Sequence, residues 1–183
     1  MSSVPEGFAG TWDLDPAHTE IGFSVRHMMI SKVRGRFGTF SGSFTIGDSP
    51  ESSSVEVEVD LASIDTNNAD RDGHLRSADF FAADANPTMS FRSTAVRPAG
   101  DDWQVDGDLT LAGVTKPLTL TVEALGVVPQ SPFGDTRIGF SATGSIDRRE
   151  FGIEWNAPVE GGGVVVGHKV DLALEVEGVR RAG

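Results

Sequence analysis

Ser54-Val-Glu-Val-Glu-Val-Asp-Leu61 alternates along its whole length, with Val55, Val57, Val59 and Leu61 on one side and Glu56, Glu58 and Asp60 on the other. Near the other end of the chain, His168-Lys-Val-Asp-Leu-Ala-Leu-Glu-Val-Glu177 repeats the pattern with Val170, Leu172, Leu174 and Val176. Successive side chains of a strand point to opposite faces, so a period of two means half-buried β structure. At least six segments of this kind occur, and no long stretch has a helical period. The expected fold is therefore all-β: one extended antiparallel barrel of about eight strands, closed around its own apolar face, with short helices between strands. A barrel of this size either fills with side chains or holds a ligand.

Working outward, strands are expected at Gly10–Leu14, Ile21–His27, Lys32–Ile46 and Val55–Leu61. Further strands fall at Met89–Val96, Trp103–Leu111, Leu118–Leu125, Arg137–Ile146 and Lys169–Val179. Gly35, Gly38 and Gly42 punctuate the long third segment, marking bulges, bends or close backbone approach. Helix is expected only between Asn68 and Phe81. There Asn67 or Asn68 can cap, Asp70 and Asp72 suit a first turn, and Ser77 can cap a second short turn. Residues 1–183 read as one domain, with no repeat and no linker.

Composition narrows the function. The net charge of -12 argues against nucleic acid, whose phosphates demand a basic footprint. There is no cysteine, which removes disulfides, thiol nucleophiles and cysteine-ligated metals. The amino terminus has neither a basic nor an apolar leader region, and no apolar run approaches the ~20 residues that span a bilayer, so the chain reads as cytoplasmic.

Signatures of catalysis are lacking. Gly-x-Ser-x-Gly, phosphate-binding loops and the dinucleotide fingerprint do not occur. The four histidines are too scattered for a local metal site. No catalytic residue, metal or cofactor is expected.

What remains is the wall. By phase, Ile21, Phe23, Val25, Phe40, Phe44, Met89, Phe91, Leu109, Phe140 and Leu172 should face inward. His27 continues the face of Ile21, Phe23 and Val25, and His168 begins that of Val170 and Leu172, so both could lie near one rim. They would either offer donors to the polar head of a ligand or simply bond to backbone. Arg148 and Arg149 follow an inward-facing strand and could clamp a phosphate or carbonyl, or be solvated turn residues. Of this pair, Arg149 is the candidate ligand contact.

Several motifs in order carry a family resemblance. They are Trp12-Asp-Leu-Asp-Pro-Ala-His18 with Thr19, Phe23-Ser-Val-Arg-His27, Gly35-Arg-Phe-Gly-Thr-Phe-Ser-Gly42, Ser63-Ile-Asp-Thr66 and His74-Leu-Arg-Ser-Ala-Asp-Phe-Phe81. Pro87-Thr-Met-Ser-Phe-Arg-Ser-Thr94, Gly107-Asp-Leu-Thr-Leu-Ala-Gly-Val-Thr-Lys-Pro117 and Arg148-Arg-Glu-Phe-Gly-Ile153 complete the series. From about residue 10 to 178 the chain resembles the YceI-like family, lipocalin-like proteins that bind polyisoprenoids. The resemblance implies an elongated apolar tunnel and, as partner, a long isoprenoid or quinone-like lipid to be carried or stored. The alternatives are an enzyme acting on such a ligand, or a ligand-free interaction module. A homodimer is compatible with each of them.

Overall fold

In the computed structural model, which describes residues 3–182, eleven strands form a single antiparallel sheet. They are β1 (Gly10–Leu14), β2 (Glu20–His27), β3 (Ser31–Phe37), β4 (Phe40–Ile46), β5 (Ser54–Asp60) and β6 (Ile64–Asp65). After helix α1 (Ala69–Arg76) come β7 (Thr88–Ala99), β8 (Asp102–Leu111), β9 (Val114–Val128), β10 (Arg137–Asp147) and β11 (Val166–Arg180). The first six run in pairs. β1 and β2 lie end to end along β11, with Leu14 opposite Gly178 and Glu20 opposite Glu175. β3 and β4 lie end to end along β2 and β1, and β6 and β5 along β3 and β4. Three interrupted strands and five continuous ones thus make an eight-stranded up-and-down barrel, closed where β11 meets β1 and β2.

The interruptions have local causes. Between β3 and β4 the chain breaks at Gly38 and Thr39, where Gly38 N–H donates to Ser63 C=O, and Thr39 C=O accepts from Asp60 N–H at the end of β5 and from the Ser63 hydroxyl. Between β5 and β6 a single 3-10 turn, Leu61–Ser63, is capped by Asp60, whose carboxylate accepts from Ala62 N–H. Glycine 42 answers to close approach: a Cβ there would fall 2.5 Å from the Glu56 carbonyl across the ladder.

α1 is shorter than the expected helical stretch. Asn68 Oδ1 accepts from Arg71 N–H and starts it; Ser77, in extended conformation, ends it, and residues 78–81 continue as turns. A buried network fixes its approach. Asp72 accepts from both the backbone and the hydroxyl of Thr66, while Arg71 donates to the Thr66 hydroxyl and carbonyl.

Two apolar clusters lie inside. The larger, from Phe37, Leu61, Phe91, Leu109 and Phe151 among others, occupies the middle and the α1 end, where Leu75, Phe80 and Phe81 pack onto it. The smaller sits at the opposite end around Phe8, Trp12, Phe44, Ile138 and Phe140. Trp12 donates its indole N–H to Phe8 C=O there, so its polar atom is satisfied within the packed end.

Candidate functional site

Between the clusters the barrel is not filled. A cavity of about 270 Å³ runs along the interior, from Thr45, Ile46 and Ser53 at the Trp12 end to Val25, Ile153 and Val166 at the α1 end. Its wall is built from the inward positions of nearly every strand. The polar side chains in the lining are Thr19, Thr45, Ser53, Ser54 and Ser90, and the one charged side chain among the described residues is Arg148. Alternation explains the contrast with the surface, since Glu56, Glu58 and Asp60 stand outward between Val55, Val57 and Val59.

Of the residues expected to face inward, Ile21, Phe23, Val25, Phe44, Met89, Phe91, Leu109, Phe140 and Leu172 line this cavity. Phe40 does not. It shares the phase of Phe44, but it follows the break at Gly38 and packs half-buried against the main cluster beside the cavity. His27 and His168 are likewise absent from the lining. The ends of their strands do meet, with Val166 opposite His27. On β11, however, the advance of four positions from Val166 to Val170 is matched by only two on β2, from His27 to Val25. Residues 167–169 therefore have no register partner on β2, and His168 leaves the regular alternation that its neighbours predict.

The two arginines at the end of β10 part company. Arg149 is half-exposed and held by Asp147, its Nη2 2.6 Å from Oδ2, so its expected contact with the interior is not made. Arg148 turns in and is buried. Its Nε donates to Gly167 C=O (2.8 Å), Nη1 to Ile153 C=O (2.9 Å) and Trp155 C=O (3.0 Å), and Nη2 to Val166 C=O (3.2 Å). A guanidinium has five N–H donors, so one remains for another acceptor. Among the described residues no carboxylate pairs with it; burial lowers its pKa from the ordinary value and Asp147 partly opposes that. The sequence offers both arginines and favours Arg149, whereas the structure turns Arg148 inward; nothing in Arg148-Arg149 itself says which of the two faces the lumen.

Residues of the α1 region were also missed as wall. Leu75, Phe80 and Phe81 line the cavity, and His74 and Phe80 stack edge-on to or tilted against Trp155 from the β10–β11 connection. The Phe80-Phe81 doublet just past the helix was the available signal. At the far end, Asp15, His18 and Glu177 converge, but Arg137 Nη1 already lies 2.5 Å from Asp15 and 2.7 Å from Glu177. The hydrogen bond from His18, with help from Arg137, holds the Asp15 carboxyl down to about 2. This is an ion-pair network tying the β1–β2 turn to β10 and β11.

Fold and interior define a class: a closed, meandering β-barrel with an apolar, ligand-sized lumen. The YceI-like domain model matches residues 12–178, and the chain belongs to that family. Protein YceI of Escherichia coli is 39% identical over 185 residues, spanning 99% of this chain and 93% of that one. Among solved structures, Burkholderia cenocepacia BcnA superposes with a TM-score of 0.78 at 21% identity, covering 90% of this chain and 98% of that one. A polyisoprenoid binding domain from Saccharophagus degradans, implicated in plant cell wall breakdown, gives a TM-score of 0.66 at 16% identity, with 93% and 98% coverage.

Proposed function

We propose that the barrel binds the hydrocarbon chain of an isoprenoid or related amphiphilic lipid inside its cavity and carries or stores it. The observation that carries this reading is the lumen itself, elongated, unfilled and apolar around almost its whole circumference. Burying a methylene stabilises by about 0.8 kcal/mol, so an isoprene unit of about five carbons contributes roughly 3–4 kcal/mol. A few units offset the freedom lost on association without any strong polar contact. Membership of the YceI-like family, and the polyisoprenoid binding named for the Saccharophagus degradans domain, support the ligand class.

Arg148 offers the polar head one partner, a carbonyl or phosphate oxygen at the α1 end. Binding rather than turnover is supported by the same geometry. An enzyme acting on such a ligand would need His27, His168 or Arg149 for its chemistry, and none of the three lines the cavity. Purified protein examined by native mass spectrometry, before and after organic extraction, tests the reading. A bound lipid with a long hydrocarbon chain is expected; repeated preparations free of any lipid, with none taken up on incubation, would overturn it.

A further inference from the structure

One hairpin reverses the charge of the rest of the molecule. Residues 26–36 hold Arg26, Lys32, Arg34 and Arg36 and no carboxylate, in a chain of net charge -12. All four are exposed on β2 and β3, and alternation sets them on the outer face, away from Val25. The register puts Arg26 directly opposite Lys32, a pairing of like charges that repels. Among the described residues, Arg26, Lys32 and Arg34 form no ion pair, and Arg36 reaches Asp65 only at 3.6 Å. On neighbouring β11, Asp171 is the facing carboxylate, and Lys169 already lies 3.4 Å from it.

The tip of the same hairpin is apolar and strained. Ile30 N–H bonds to His27 C=O around Met28 and Met29, whose φ values are 50° and 64°. Two-residue turns with both central residues left-handed favour Asn-Gly, and methionine is held there at a conformational cost. Nevertheless Met29 is 63% and Ile30 78% exposed, with Met28 at 38%. The tip therefore presents three large apolar side chains to solvent inside a collar of unpaired cations.

We propose that this hairpin docks the barrel on an anionic phospholipid bilayer. Met28, Met29 and Ile30 enter the boundary between headgroups and acyl chains, and Arg26, Lys32 and Arg34 lie against the phosphates. The occupant is argued from charge: the rest of the acidic surface is repelled by such a membrane, which leaves this one orientation. A second copy of the chain fits less well, because a symmetric contact through the tips would bring two cationic collars together. The inner side of the hairpin, Val25, and its neighbour Val166 form one end of the cavity, so docking brings that end to the membrane. The residues invoked lie outside the cavity, and vesicle binding succeeds or fails independently of the cargo.

Flotation with vesicles of equal parts phosphatidylglycerol and phosphatidylcholine, and with phosphatidylcholine alone, tests this in the full chain. The wild type should float with the anionic vesicles, more weakly as salt is raised, and little with phosphatidylcholine. Replacing Arg26, Lys32 and Arg34 by glutamine should weaken binding by about fivefold per cation removed. The triple change Met28→Asn, Met29→Gly, Ile30→Ser installs the turn sequence that the backbone prefers, so it should melt no lower than wild type yet lose about tenfold or more in binding. Failure of the wild type to float with anionic vesicles would overturn the proposal. So would a folded tip variant that binds as well as wild type, or a tip-dependent dimer in sedimentation with no vesicle binding.

Discussion

Phe23 lays its ring over Gly35, its partner directly across the β2–β3 ladder, so closely that a Cβ on Gly35 would fall 2.3 Å from Phe23 Cζ. The same device recurs where Phe91 lies over Gly107 and Phe44 over Gly178, at 2.4 Å and 2.6 Å. Glycine lets a large ring lie flat against the wall instead of standing across the lumen. These pairs therefore keep an aromatic barrel hollow.

Gly35→Ala should force the Phe23 ring off the wall and destabilise by about 1–3 kcal/mol, read as a lower denaturant midpoint. Gly73→Ala is the control: it lies in α1 with nothing within 4 Å of its Cβ position. There the gain in helix propensity should stabilise by about 0.5–1 kcal/mol. Equal effects at the two sites would mean that ring packing does not explain Gly35.

Val25→Trp tests the lumen at the α1 end. The larger side chain should fill space that a ligand chain would occupy, shifting preference to shorter chains while the melting temperature holds. An unchanged length preference with a lowered melting temperature would mark Val25 as ordinary packed core, overpacked at a cost of about 1–3 kcal/mol.

Much of this wall was legible because phase within a strand is a local property. Val55, Val57 and Val59 share a face whatever the rest of the chain does. Counting segments comes close to the barrel: nine were expected, and they reduce to eight positions because β1 and β2 lie end to end along β11. Three things escaped. The bulge between Val166 and Val170 is a tertiary adjustment with only Gly167 as a trace, so His168 was misplaced. Phase within β4 does not register the break at Gly38 just before it, so Phe40 shares a face with Phe44 without lining the cavity, although its ladder partner Val59 does. The fates of Arg148 and Arg149 depend on the carbonyls of residues 153–167, which a strand pattern does not register.

Arg148→Met should remove the donor to four backbone carbonyls while keeping an apolar stem. Leaving a buried acceptor unpaired costs about 1–3 kcal/mol, so a total loss of roughly 3 kcal/mol or more is expected. Hydrogen exchange should show the opening confined to residues 153–167 before global unfolding. Retention of wild-type stability would mean that water replaces the guanidinium without penalty.

Acid should unfasten the other end. Asp15 is held down to about 2 in the folded protein against an ordinary 3.8, through the hydrogen bond from His18 and then the one from Arg137. A carboxylate with a depressed folded pKa contributes stability that is present above its unfolded pKa and lost as pH falls through the folded one. The melting-temperature difference between wild type and Asp15→Asn should therefore be largest above pH 4 and shrink toward pH 2. A difference that stays constant across that range would exclude the Asp15 network as its source.

The central claim is that the lumen takes a hydrocarbon chain, and the most direct measurement is displacement of a bound fluorescent fatty probe by prenyl alcohols of increasing length. Binding should be saturable at one site, and affinity should rise by at least about tenfold per added isoprene unit until the cavity is full, then level off. Affinity independent of chain length, or no saturable displacement at any length, would contradict it.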